Sequence, residues 1–384
     1  MSPFPSLPTE QAPANTAFEI GWDFAHHRLV PPAEHLMPGN PVRSGWEAGK
    51  AAFGQRTLRV TPHIRKWLQL RLGAWVRGKA FEGVQVTPAF LERIDVTRCP
   101  ITGQALTRGT GADTDASVDR VNNHAGYAAG NLAVMSVRAN QAKSAYGWGD
   151  AATFVRHIEA GQLGQIDGLN AREWARLAAL MSYCTPLSHE EAANLPLLVL
   201  PPPRLRLLNP VQAVQAGLTL CFAQVGKAPR LDALVRIFPS GIQREVRYFL
   251  AALQARRVAA GPGATADALR AALEAAWSQP VLMRLWRRVA LRLNQAHFES
   301  VAAALPAAAG GLAPFRYLSL EQATEGWALE TGGMAVPEGW PEGQASNPVG
   351  GALTPPAWRT GEGGPRGRRR PERGNVPLAR FLSE

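Results

Sequence analysis

Lysine, cysteine and long apolar runs are all scarce in this 384-residue chain. The three cysteines, Cys99, Cys184 and Cys221, are odd in number and far apart, which excludes a disulfide framework and predicts a reducing, cytoplasmic setting. No stretch approaches the roughly 18 consecutive apolar residues of a membrane span, so no membrane partner is predicted. The opening segment, MSPFPSLPTEQAPANTAFEIGW, has neither a basic nor an apolar signal region, and no secretory signal is predicted. Lysine supplies only five of the 41 basic residues, and arginine supplies the rest. No internal repeat of about 20–50 residues is visible, which argues against a solenoid.

What is present is a chain long enough for two or three domains, with 46% hydrophobic residues and a formal net charge of +11. A basic balance favours polyanion partners through counterion release. The arginine skew, alongside abundant Ala, Gly and Pro, also follows from GC-rich codon usage, so charge supports a nucleic-acid partner without specifying one.

Punctuation divides the chain into five parts. Residues 1–20 are polar and Pro-containing and predict a flexible N-terminus. Residues 21–85 read as an irregular stretch followed by a basic amphipathic helix from Pro62 to about Lys79, with Ile64, Trp67, Leu68, Leu72, Trp75 and Val76 at helical spacing. Residues 86–150 begin with a short helix at Thr87-Pro88 and hold a polar motif. Residues 151–330 predict a helical domain, with amphipathic patterns over 171–184, 228–260, 266–278 and 281–304, and a stiff break at Pro201-Pro202-Pro203. Residues 331–384 are rich in Gly, Pro and Arg, carry five arginines between Arg366 and Arg373, and predict a disordered basic tail with a weak terminal helix or docking segment at Val376–Leu382. The predicted fold class is mainly α with a small α+β module between helical regions.

The polar motif is the most specific feature. It reads SVDRVNNHAGYAAGNLAVMSVRANQAKS and contains Asp119-Arg120, then Asn131-Leu132, then Asn140-Gln141-Ala142-Lys143. Val118 and Val121 around Asp119 predict a short strand; Leu132-Ala133-Val134-Met135 predicts a return strand; Val137–Ser144 predicts a helix presenting Asn140 and Lys143 at i, i+3. Gly126 and Gly130 shape the intervening loop. This pattern resembles the HNH endonuclease superfamily, with its ββα-metal motif, and within it the endonuclease VII-like branch in which Asn is the last ligand. The resemblance covers roughly residues 86–150.

The resemblance implies a metal-dependent endonuclease that hydrolyses phosphodiester bonds in DNA, with DNA as partner and RNA left open. It implies Asp119 and Asn140 as ligands of Mg²⁺ or Mn²⁺, a hard cation that takes a few protein oxygens and keeps much of its water. It implies that Asn131 is structural, bracing the loop through backbone hydrogen bonds. Arg138 and Lys143 are candidate phosphate contacts. Many relatives carry two Cys-x-x-Cys zinc knuckles. Here Thr102 stands three residues after Cys99, and Ser136 and Ala139 occupy the later pair, so no structural zinc is predicted. The family commonly has His after the Asp, and this chain has Arg120. A guanidinium cannot take a proton near neutrality, so Arg120 is assigned to phosphate or transition-state binding. The base is then His124, four residues on, or water activated on the metal without a side-chain base; His26 and His27 are further imidazoles. The alternative function is a catalytically impaired HNH-like nucleic-acid-binding protein.

Overall fold

The structure, a computed structural model, describes residues 12–311 and 317–335. Its first three helices are α1 (Ala12–His26), α2 (Pro41–Phe53) and α3 (Pro62–Val76), followed by α4 (Pro88–Ile94). Residues 21–60, predicted irregular, therefore hold the end of α1 and all of α2, and the predicted loose terminus is helical from Ala12. Glycine is the reason for the difference. Its poor helix propensity breaks the pattern at Gly21, Gly45 and Gly49, yet these glycines are where α1 and α2 touch. A Cβ on Gly21 would lie 1.9 Å from the Val42 carbonyl oxygen, and one on Gly45 would lie 1.9 Å from that of Phe18. The close approach buries Ala17, Ile20, Phe24 and Val42 together with Leu68 and Leu72 of α3.

Three of these helices start on the same device, a capping side chain followed by proline at the first helical position. Asn40 Oδ1 accepts from Val42 N at 2.9 Å, Thr61 Oγ1 from Ile64 N at 3.2 Å, and Thr87 Oγ1 from Phe90 N at 3.2 Å. Buried residues on α3 include Leu68 and Leu72 toward the N-terminal core, and Leu70 and Ala74 toward the main one.

Two short strands follow, β1 (Ala116–Arg120) and β2 (Leu132–Ser136), paired antiparallel from Ala116↔Ser136 to Arg120↔Leu132. Helix α5 (Val137–Lys143) follows β2 directly, capped by Ser136 Oγ accepting from Ala139 N at 3.3 Å. The rest is helical: α6 (Trp148–Glu159), α7 (Ala171–Tyr183), α8 (His189–Asn194), α9 (Pro210–Phe222), α10 (Leu231–Arg236), α11 (Gln243–Ala259), α12 (Ala266–Trp277), α13 (Pro280–Ala290), α14 (Gln295–Ala308) and the short α15 (Leu320–Ala323). The chain is thus mainly helical with one small antiparallel sheet among the described residues.

Helix α9 has no counterpart in the predicted pattern. All 13 of its residues are buried, so it has no solvent face to create a period. Its polar side chains are bonded internally. Gln212 donates to Ser182 Oγ at 2.8 Å, Gln215 to the Leu195 carbonyl at 3.0 Å, and Thr219 accepts from Trp277 Nε1 at 3.2 Å.

The predicted boundary at residue 330 also moves. Residues 317–335 fold back onto the strand region. Trp327 is fully buried; its indole donates to the Ala129 carbonyl at 3.1 Å, and its own carbonyl accepts from Gly126 N at 2.7 Å. The Gly333 carbonyl accepts from Ala80 N at 3.0 Å, and Ala335 N donates to the Gly78 carbonyl at 2.9 Å. One apolar core runs from Leu70 through both strands and the helical region to Trp327, so the segments 86–150 and 151–330 are not separate cores. Residues 1–11 and the predicted tail from 336, including the Arg366–Arg373 cluster and Val376–Leu382, lie outside the described residues. Among the described residues, no helix is long and apolar enough to cross a membrane.

Candidate active site

Strand alternation puts Ser117 and Asp119 on one face of β1. Helix α5 lays Asn140 and Lys143, one turn apart, against that face. Asn140 Nδ2 donates to Ser117 Oγ at 2.7 Å, and Lys143 Nζ lies 3.0 Å from Asp119 Oδ2. Two chain segments separated by the loop and β2 thus bring an amide and a carboxylate to the same side of the sheet.

Lys143 is 0% exposed, and its ammonium also donates to the Arg120 carbonyl at 2.8 Å and Asn123 Oδ1 at 2.8 Å. An ammonium has three donors. Three protein oxygens take them, so Lys143 is an internal brace rather than the surface phosphate contact its sequence position suggested. Asp119 is 12% exposed. Lys143 meets its Oδ2 as an ion pair, and the oxygen accepts no well-aligned hydrogen bond. Burial pushes the Asp119 carboxyl above its usual range, and the pull of Lys143 and Arg120 does not fully offset it.

Asn131 is fully buried. Its Oδ1 accepts from Asn122 N at 2.8 Å, and its Nδ2 donates to the carbonyls of Asn122 and Gly126, each at 3.0 Å. It closes the loop between the strands. Gly130 follows the same constraint, with φ +90° and a Cβ position 2.3 Å from Arg206 Cδ.

Arg120 leaves the opposite face of β1. Its Nη1 donates to the Ala125 carbonyl at 2.9 Å and the Asn123 carbonyl at 3.3 Å, and its guanidinium lies 5.1 Å from the centre of the Tyr127 ring. His124 is exposed at the loop tip, with its backbone N–H on Asn122 Oδ1 at 2.9 Å. His26 and His27 belong to α1, where His26 stacks on Phe53 at 4.1 Å. Arg138 is ion-paired to Glu173 at the start of α7, so it fastens α5 to the helical region. The structure brings Asp119, Asn140 and Lys143 together and leaves Arg138 and His124 outside that group.

Ser117 and Asn123 are site residues the sequence did not single out. Ser117 was within reach, because the period of two places it beside Asp119. Nothing local marks Asn123, and Tyr127 stands in the motif only as the neighbour of Gly126 in the loop.

Cys99, Thr102, Ser136 and Ala139, the four positions compared above with zinc-knuckle pairs, are contiguous in the fold. Cys99 Sγ accepts from Ser136 N at 3.3 Å, Ser136 Oγ at 3.4 Å and Thr102 N at 3.5 Å, while Ser136 caps Ala139. Burial pushes the Cys99 thiol up, but these hydrogen bonds outweigh it and leave the thiol below its usual value.

A hard divalent cation fits this donor set. Asp119 is a nearly buried carboxylate whose Oδ2 is met only by the Lys143 charge, without an aligned hydrogen bond, and Asn140 spends its amide nitrogen on Ser117, with no protein donor on its Oδ1 among the described residues. Mg²⁺ binds through one or two such oxygens plus water and substrate phosphate. Among the described residues no three His, Cys, Asp or Glu side chains gather at one point, so any cation here relies on amide and hydroxyl oxygens as well.

No family model, curated protein or solved structure matches the chain.

Proposed function

We propose that the protein is a metal-dependent endonuclease that hydrolyses phosphodiester bonds in DNA, with β1, β2 and α5 as a ββα-metal motif of the HNH type. The observation that carries this reading is the shared face: Asn140 of α5 bonded to Ser117, beside Asp119 on the same strand. Asp119 and Asn140 would hold Mg²⁺ or Mn²⁺. Such a cation, when bound, supplies positive charge for the attacked phosphate and the leaving oxygen. Lys143 fixes the Asp119 carboxylate, and Asn131 holds the loop that follows Arg120. Arg120 offers a guanidinium to phosphate, a role that needs charge and geometry but no proton transfer. His124 is the exposed imidazole on that loop.

A second reading is a nucleic-acid-binding protein without turnover. The engagement of Arg120 with loop carbonyls, at the position where a base would stand, favours it.

Incubation of purified protein with supercoiled plasmid, with and without Mg²⁺ or Mn²⁺, separates the two. Metal-dependent nicking is expected, and Asp119→Asn and Asn140→Ala are each expected to reduce it beyond the roughly 10- to 100-fold that loss of an outer-shell partner costs. Wild-type nicking in both variants would show that the metal assignment is wrong. No nicking under either metal, with duplex binding intact, would leave the second reading.

A further inference from the structure

Two arginines from distant parts of the chain converge on one aromatic ring, and Lys79 lies close enough to both to feel their charge. Arg77, at the end of α3, donates from Nη2 to Tyr127 Oη at 2.7 Å, with its guanidinium 5.9 Å from the ring centre. Arg120 lies over the same ring at 5.1 Å. Lys79 follows Arg77 on the extended segment that bonds to Tyr127, through Tyr127 N to the Ala80 carbonyl at 2.8 Å and Glu82 N to the Tyr127 carbonyl at 2.9 Å. Among the described residues the Lys79 ammonium touches only a weak acceptor, Met334 Sδ, at 3.0 Å.

Several engaged arginines of the fold have a carboxylate: Arg71 has Asp23, Arg138 has Glu173, Arg176 has Glu274 and Arg292 has Glu245. Others, such as Arg206 and Arg257, are held by neutral oxygens but stand apart from one another, whereas Arg77 and Arg120 share one ring. Among the described residues, no carboxylate forms an ion pair with Arg77, Lys79 or Arg120. The neighbouring Asp119 is already held by Lys143. Burial, then Arg120 and Arg77, push the Lys79 amine below its usual value. An anion seated among the three relieves that repulsion.

The chemistry selects the anion. Guanidinium forks match tetrahedral phosphate oxygens, and lysine adds a point charge. Tyr127 is buried and already stacked near Phe81, with 6.2 Å between ring centres. Its face is therefore a support for the cations rather than a platform for a base. The site reads phosphate and not sequence.

We propose that Arg77, Lys79 and Arg120 form a phosphate cradle that grips the backbone of duplex DNA on the side of β1 opposite Asp119. This rests on the nucleic-acid reading above, and extends the grip from Arg120 onto α3 and the segment after it.

The test uses the full chain in EDTA, so that binding is measured without cleavage. Fluorescence anisotropy with a short labelled duplex is recorded between about 50 and 200 mM salt. Arg77→Gln and Lys79→Gln are each expected to weaken binding roughly three- to tenfold and to reduce the salt slope by about one, with the double variant losing about two. Arg284→Gln, an exposed arginine on α13, is expected to leave both unchanged. Thermal unfolding checks each variant. If Arg77→Gln does not fold, Lys79→Glu decides, with a larger loss expected than for Lys79→Gln. Unchanged slopes in the cradle variants, an equal loss in Arg284→Gln, or no binding by the wild type would overturn the proposal. If slopes respond as expected while plasmid stays intact with every metal, the cradle stands and the nuclease reading alone fails.

Discussion

The pairing of Asp119 with Lys143 is the most consequential contact of single residues. A fully buried ammonium and a nearly buried carboxylate depend on each other, and removing one leaves the other uncompensated. Lys143→Met is expected to cost about 3–5 kcal/mol near pH 7. Because the Asp119 carboxyl is raised, its contribution to stability is full below its unfolded value of about 3.9 and is lost as pH rises through the folded value. Without Lys143 the carboxyl rises further, so the cost of the substitution should grow from about pH 4 to about pH 7. Urea unfolding at both values measures it. Equal losses at the two would mean that packing, not charge, is responsible. Asp119→Asn combined with Lys143→Met removes both charges and is expected to recover most of the loss.

At the scale of elements, the helix starts and the strand–loop–strand–helix order were readable, because Pro62, Thr87-Pro88 and the valines around Asp119 are local signals. Helices α1 and α2 were not, since glycine reads as a break until a partner helix needs its missing side chain. Gly45→Ala tests this. Its Cβ would meet backbone, which cannot yield as a side-chain end can, so a loss of about 1–3 kcal/mol is expected. Gly149→Ala in α6 meets nothing within 4 Å and is expected to be neutral or stabilising by up to roughly 1 kcal/mol. Thermal unfolding of both variants compares them directly; equal behaviour would remove the glycine contact as the reason for the hairpin. Between Leu291 and Asn294 the single predicted pattern over 281–304 divides into α13 and α14, where Asn294 Oδ1 caps His297 N at 3.0 Å.

At the scale of the molecule, the segment from 317 to 335 joins the chain's end to the loop between the strands. Trp327 fills the space against Ala129 and Gly126. Trp327→Ala is expected to cost about 3–5 kcal/mol, and the loss should also weaken the proposed cleavage, because the loop whose carbonyls hold Arg120 rests on that indole. Truncation after Ala335 removes none of these contacts. It is expected to leave thermal unfolding unchanged while flattening the salt dependence of DNA binding, because the arginines between Arg366 and Arg373 no longer release counterions. A truncated protein that unfolds earlier would mean that residues beyond 335 are packed; an unchanged salt slope would mean that they do not touch DNA.

The sequence by itself determined what depends on neighbours in the chain. The starts of α3 and α4, the two strands around Asp119 and Leu132, the placing of Asn140 and Lys143 one turn apart, and the helical character of 151–330 all follow from short-range periodicity and turn chemistry. Tertiary structure alone decided which charges are spent and which remain. Lys143 and Arg138 look alike on a helix surface, yet one is sealed against Asp119 and the other is tied to Glu173. Arg77 and Lys79 lie more than forty positions before Arg120, and only the fold sets them around Tyr127. A side chain's charge is written in the chain, but its partner is set by burial and by contacts across long sequence separations, and those exist only once the core has formed.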